Sequence, residues 1–396
     1  MTNATKAVSL AGLFCPLVAA ALIATWTPVT ASADEPQACT PGSDGCDYNY
    51  LVIWDRVYGD SALDTMKEAV LHRGAGFVPR GGGVDDFDAS SPEKPAPDCV
   101  VVCTSRGWWD ALSASGLAGI EGAPVLLTEP DELSAQTRAV IEELSPSHAI
   151  VVGGEAAVSA RVAAQLAELV GSDPERIWGE DAVGTSLAVL TSRSSWSSTA
   201  FVATSGTFQD ALSAGPYAYA RRCPVVLAGA DGVLSVEAAA ALGSGAFSEA
   251  VVLGGESAVP SSELTRLGAA APERVWGVDA VGTCAALLDW QAARGYRFWG
   301  GGVATVDDYY DALVASACCG RHELGLALVE DYSSDGYEDG WAAVLALKRC
   351  QAPVARDTRC EGFVFGGEAA LSRGVVLNLP FWPPSPPDWD VVYPAN

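Results

Sequence analysis

Histidine is almost missing from this chain: three in 396 residues, His72, His148 and His322, at unrelated places. With so few, no Ser/His/Asp or Cys/His set takes shape, and no HExxH is present. Positive charge is scarce too, with 23 Lys and Arg against 49 Asp and Glu and a formal charge of −26. That balance speaks against a nucleic-acid partner, because phosphate binding needs a basic face, and against electrostatic docking on anionic lipid. Beyond residue 33 no segment stays free of charge for about 18 residues, so no membrane insertion is expected. The glycines that follow apolar runs form neither GxGxxG nor a P-loop, which leaves a nucleotide-binding enzyme resting on fold analogy alone.

What is present is a globular chain, 49% hydrophobic with 41 Gly and 12 Trp. The acid excess reads as a soluble, self-repelling surface. Residues 1–33 read as a secretory signal: Lys6, an apolar stretch from Leu10 to Ala24, then Ala31-Ser32-Ala33 before Asp34. Cys15 lies inside that stretch, behind Leu13-Phe14, which does not suit lipoprotein processing. Ten cysteines remain after the leader. Cys103 stands where the other repeats have Ala203 and Ala304, and Cys223 where the first has Ala123, so both read as buried small hydrophobes. Cys39–Cys46 and Cys350–Cys360 are candidate local disulfides. Cys318-Cys319 with His322 matches no standard zinc spacing, and no metal is expected there.

Three segments nearly coincide: RVYGDSALDT from Arg56, RIWGEDAVGT from Arg176 and RVWGVDAVGT from Arg274, sharing Arg, Gly and Thr (Thr65, Thr185, Thr283). Each leads to an aromatic turn ending in Asp-Ala-Leu, at Asp110, Asp210 and Asp311, then to an apolar run closed by Gly-Gly-Glu. Those closures are Gly153-Gly154-Glu155, Gly254-Gly255-Glu256 and Gly366-Gly367-Glu368. The Asp positions are 100 and 101 residues apart, a domain-sized unit rather than a solenoid repeat. The division expected is a signal peptide (1–33), an N-terminal linker (34–50), repeat domains at 51–174, 175–272 and 273–381, and a Pro-rich tail (382–396). An acidic, Pro-rich insertion (Asp85 to Asp98) lengthens the first repeat.

Apolar runs such as TAFVATS, PVVLAG and EAVVLGG alternate with helical spacing, which indicates an α/β fold. The expectation is three tandem, small, doubly wound parallel-sheet domains of Rossmann or flavodoxin-like type. Three equal domains pack naturally in a closed pseudo-threefold arrangement. The repeated Asp and Gly-Gly-Glu then lie at the carboxyl edges of the sheets, where open α/β folds bind ligands. Each has a plain structural reading beside the binding one: Asp in a first helical turn, Gly-Gly as a tight turn with positive φ. The repeated Arg either pairs with a carboxylate of its own or the neighbouring repeat, or faces a ligand.

The triple pattern resembles the cell wall binding repeat 2 family, over roughly Arg56 to Ser372. The resemblance implies an exported protein of a Gram-positive cell surface, held non-covalently to an anionic secondary cell-wall polymer. The acidic charge leaves a neutral glycan as the other ligand, and threefold repetition of one site suits binding better than chemistry, so no enzyme is expected. The resemblance also implies polymer-binding roles for Arg56, Thr65, Asp110, Glu155, Arg176, Asp181, Thr185, Asp210, Glu256, Arg274, Asp279, Thr283, Asp311 and Glu368, with Gly153, Gly154, Gly254, Gly255, Gly366 and Gly367 as turn residues. No cofactor is expected beyond a possible bridging divalent cation, which would help an acidic chain meet an anionic polymer. The chain departs from the family where Gly-x-Asp-Arg-Tyr-x-Thr is usual: Ala182-Val183, Ala280-Val281 and Ala62-Leu63 replace the Arg-Tyr pair. A degenerate surface scaffold with protein partners is therefore the alternative, with a wall hydrolase behind it. Trp108, Trp109, Phe208, Tyr309 and Tyr310 either stack on sugars or pack at domain contacts.

Overall fold

Strands of this chain are short and apolar on both faces, as in CVVVCT from Cys99 to Thr104, every residue of which is buried. Such strands need cover on both sides, and the helices between them supply it. The computed structural model describes residues 52–78, 94–296, 300–330, 342–350, 360–377 and 379. The leader, the linker, the Pro-rich tail, the Cys39–Cys46 pair, most of the acidic insertion and the Cys360 side chain lie outside the described residues.

In chain order the first repeat gives β1 (Val52–Val57), α1 (Ala62–Leu71), β2 (Cys99–Thr104), α2 (Trp109–Glu121), β3 (Val125–Thr128), α3 (Ala135–Leu144), β4 (His148–Val152) and α4 (Ala160–Val170). The second gives β5 (Glu175–Ile177), α5 (Ala182–Ser192), β6 (Thr199–Thr204), α6 (Gln209–Leu212), α7 (Gly215–Arg221), β7 (Val225–Ala228), α8 (Val236–Leu242), β8 (Glu249–Leu253) and α9 (Ser261–Leu267). The third gives β9 (Pro272–Val275), α10 (Ala280–Ala293), β10 (Gly301–Thr305), α11 (Tyr310–His322), β11 (Gly325–Val329), α12 (Ala342–Cys350), β12 (Cys360–Phe365) and α13 (Arg373–Leu377). The helix that is continuous as α2 and α11 is broken into α6 and α7 in the second repeat. There Pro216 sits at the start of α7, without the amide that would continue the α6 ladder.

The strands form three parallel four-stranded sheets, ordered β3-β2-β4-β5, β7-β6-β8-β9 and β1-β12-β10-β11. Relative to its own first strand, each sheet runs 2-1-3-4, the doubly wound order of flavodoxin-like folds.

Sheet membership does not follow the repeat boundaries read from the sequence at residues 175 and 273. Strand β5 pairs with β4 of the preceding repeat, and β9 pairs with β8. Strand β1 closes the circle on the third repeat, in register from Val52 opposite Cys360 to Val57 opposite Phe365. Helix α4 packs on β4 and returns the chain so that β5 lies parallel on the free edge of β4. The chain changes sheets only afterwards, because α1, α5 and α10 pack on β3, β7 and β11 of the next sheet. One side chain from each of these helices accepts an edge-strand amide: Met66 Sδ from Leu127, Ser186 Oγ from Leu227, Cys284 Sγ from Leu328. The Arg-x-x-Gly segment is thus a joint between two sheets, not the opening of one domain.

At the centre α2, α7 and α11 pack against one another, which sets the three sheets around a common helical core. The approach is close enough to require glycine: a Cβ on Gly119 would fall 1.9 Å from Tyr219 O, and one on Gly215 2.2 Å from Ser316 Oγ. Over the helix starts, Trp108, Phe208 and Tyr309 meet edge to face, with centroids 6.2 and 5.5 Å apart. Trp109 Nε1 donates to Ser205 O at 2.8 Å and Tyr310 OH to Ser105 O at 2.9 Å, each across a repeat boundary. Of the two roles open to these aromatics, the structure gives them packing at domain contacts. Cys103 and Cys223 are buried, as the alanine comparison suggested.

Candidate functional site: three equivalent turns

The residues singled out in sequence do converge, but each cluster draws on two repeats. One repeat supplies the Asp and the Gly-Gly-Glu turn, and the next supplies the Arg and, in the second cluster, the Thr. The clusters are Asp110 with Gly153 and Arg176; Asp210 with Gly254, Arg274 and Thr283; and Asp311 with Gly366 and Arg56, while Thr65 and Thr185 stand six residues past Gly59 and Gly179 in the joining segments. All three clusters sit at the carboxyl edge of a sheet, between its first and third strands, at the topological switch point.

The first glycine of each turn has positive φ: 121° at Gly153, 91° at Gly254 and 110° at Gly366. This backbone lays the turn directly on the Asp carboxylate. A Cβ would stand 2.6, 2.4 and 2.3 Å from Oδ2 of Asp110, Asp210 and Asp311 respectively. Glycine is required here for conformation and for space alike. The covered carboxyls pay for burial in acidity: Asp110 and Asp311 are pushed up to about 6 by desolvation. Desolvation raises Asp210 too, opposed by a hydrogen bond from the Thr283 side chain.

Each Arg turns inward. Arg176 Nη1 donates to Gly153 O at 2.8 Å, Arg56 Nη1 to Gly366 O at 2.9 Å and Arg274 Nη1 to Gly254 O at 2.8 Å. Arg274 adds Gly255 O and Val259 O. Of the alternatives open in sequence, the principal partner is a backbone carbonyl of the preceding repeat, with Glu368 and Glu256 acting on Arg56 and Arg274 through charge. Each Thr hydroxyl is also engaged, accepting from Gly59, Gly179 or Gly277 N–H at 3.0–3.1 Å. Asp181 and Asp279 stand apart as N-caps of α5 and α10, accepting from Gly184 and Gly282 N–H at 2.7 Å. Ser61 does the same for α1. Glu155, Glu256 and Glu368 are exposed at the turn surface.

Reasoning from sequence passed over one set. Tyr58, Trp178 and Trp276 follow the Arg by two residues in every repeat and are 51%, 55% and 55% exposed. The signal was an aromatic at a fixed offset inside a motif read only for its Arg, Gly and Thr. Among the described residues no group of three or more His, Cys, Asp or Glu side chains could hold a metal ion. None of the described helices is long and apolar enough to cross a membrane.

Residues 56–163 and 176–264 match the family described as cell wall binding domain 2 (CWB2). Curated relatives include the N-acetylmuramoyl-L-alanine amidase LytC of Bacillus subtilis, 29% identical over 178 residues, which are 45% of this chain and 35% of the relative. The amidase enhancer of the same organism is 32% identical over 143 residues, 36% of this chain and 20% of the relative. The chain therefore spans about a third or less of these relatives' length. Solved structures of similar fold include Cwp8 from Clostridium difficile, with TM-score 0.65, 21% identity, and coverage of 83% of this chain and 51% of that one. Cwp6 from the same organism has TM-score 0.67, 19% identity, and coverage of 85% and 49%. With two copies matched by the family and a third sheet built to the same order, this chain belongs to the cell wall binding domain 2 family.

Proposed function

We propose that the chain binds a secondary polymer of a Gram-positive cell wall non-covalently, and so holds an exported protein at the cell surface without catalysing a reaction. One observation carries this reading: a family of wall-binding domains recurs here with the same turn built three times at the three sheet edges. Three copies of one site multiply modest affinities along a repetitive polymer, whereas a catalyst gains nothing comparable from repetition. The exposed Glu155, Glu256 and Glu368 would meet the polymer directly, by hydroxyl hydrogen bonds or through bridging divalent cations. The inward-turned arginines and threonines would shape the turn beneath them.

A surface scaffold for protein partners is the second reading, favoured by the absent Arg-Tyr pair. Its replacements, Ala182-Val183 and Ala280-Val281, open helices α5 and α10. The test is sedimentation of residues 34–396 with purified wall, intact or acid-stripped of secondary polymers, with and without calcium. Binding to intact wall alone is the expected result. Equal failure on both walls would move the search to protein partners.

A further inference from the structure

Tryptophan in a folded domain is usually well covered. Here the same joint leaves a large aromatic more than half open three times over, at Tyr58, Trp178 and Trp276. Each ring lies over the second glycine of the Gly-Gly-Glu turn. A Cβ on Gly154 would stand 3.5 Å from Trp178 Cε3, one on Gly255 3.9 Å from Trp276 Cε3, and one on Gly367 3.7 Å from Tyr58 Cδ2. These are ordinary contact distances, so the ring rests on bare backbone. The aromatics of the central cap differ, being joined to one another across the repeats.

Acidic residues neighbour each ring in the chain, although the third joint has Val278 where the other two carry a second carboxylate. Exposed Glu155, Glu256 and Glu368 follow the supporting glycines, and Asp60 and Glu180 follow Tyr58 and Trp178 closely in the chain. The one cation of each joint is turned in to a glycine carbonyl. A flat apolar face with exposed carboxylates close in the chain and no free cation of its own motif disfavours phosphate and uronate groups. It suits the C–H face of a pyranose, with hydroxyl or ammonium groups at the edge donating to the carboxylates. We propose that Tyr58, Trp178 and Trp276 are three equivalent stacking platforms for neutral or amino-sugar rings of wall glycan, an inference that rests on the wall-binding reading above.

The experiment measures binding isotherms of residues 34–396 on intact and acid-stripped Gram-positive wall. It compares the unaltered chain with W178A, W276A, the triple variant Y58A/W178A/W276A and the conservative W178F/W276F. Each single alanine is expected to weaken binding about tenfold and the triple variant to abolish it, while phenylalanine retains most of it. Because the rings are exposed, the thermal midpoint should stay put in every variant, which separates lost contact from lost fold. Loss confined to intact wall places the sugar in the secondary polymer; loss on both places it in the peptidoglycan strand, and either supports the platforms. If the unaltered chain binds and the triple variant binds equally well, the platforms are wrong and the wall reading stands. If the unaltered chain binds neither wall, the wall reading itself has failed.

Discussion

Arg176 and Gly153 hold each other across a repeat boundary. The guanidinium donates to Gly153 O at 2.8 Å, while Gly153 N–H donates to the carbonyl of Ile177, the next residue along β5, at 2.9 Å. The same exchange links Arg274 to Gly254 and Arg56 to Gly366. Replacing Arg176 with Met keeps the aliphatic stem but leaves a half-buried carbonyl without its charged donor. A loss of about 1–3 kcal/mol in urea unfolding is expected. Unchanged stability with weakened wall binding would instead make the arginine a ligand contact.

The contact between Gly153 and Asp110 should appear as coupling. Gly153→Ala introduces strain at φ 121° and a clash with Oδ2, costing about 1–3 kcal/mol or more. Removing the carboxylate with Asp110→Ala relieves the clash with Oδ2 but neither the backbone strain nor the 2.9 Å approach to Ala157 Cβ. The double variant should therefore lose less than the two singles combined, by about 0.5–3 kcal/mol. Strict additivity in a denaturation cycle would mean the turn does not rest on the carboxyl.

Burial lifts Asp110 and Asp311 to about 6, above their unfolded value of 3.8. Between those two values the folded chain keeps protons that the unfolded chain releases, so these groups lower stability as pH rises through that window. Asp110→Asn cannot lose a proton. Its thermal midpoint minus that of the unaltered chain should climb from about pH 4 to about pH 6 and level off above. A difference independent of pH would contradict the buried carboxyl.

Strand β1 closes the ring of sheets by pairing with β12. A chain starting at Tyr58 would lack that strand and leave β12 at an edge, with backbone groups unpaired. Hydrogen exchange should then accelerate at Gly362–Phe365 while β8, in the second sheet, stays protected. Equal protection at β12 with and without residues 52–57 would show the closing pairing to be dispensable.

Much of this protein could be read locally. The alternation of apolar strand and helical spacing gave an α/β class, and Asp-Ala-Leu and Gly-Gly-Glu fell at the sheet edges because they follow strands directly. The caps at Asp181 and Asp279 were harder to read. Their residue type fits a cap, yet the resemblance drew them into the binding set, while their carboxylates close α5 and α10. The arginines were ambiguous for a different reason: the partner they chose is a main-chain carbonyl, which leaves no mark on side-chain identity.

Sequence alone determined the threefold repeat, visible as identity at matched positions, and the strand–helix alternation and Gly-Gly turns, which depend on neighbours within a few residues. Tertiary structure alone decided which sheet each strand joins. Strand β5 is adjacent in sequence to α5, but its backbone hydrogen bonds go to the edge of β4 and its helix packs on β7, a choice made by non-local strand pairing and helix burial. That offset makes every cluster a product of two repeats. It also fixes which aromatics are consumed at the centre and which, as at Trp178, remain open to solvent.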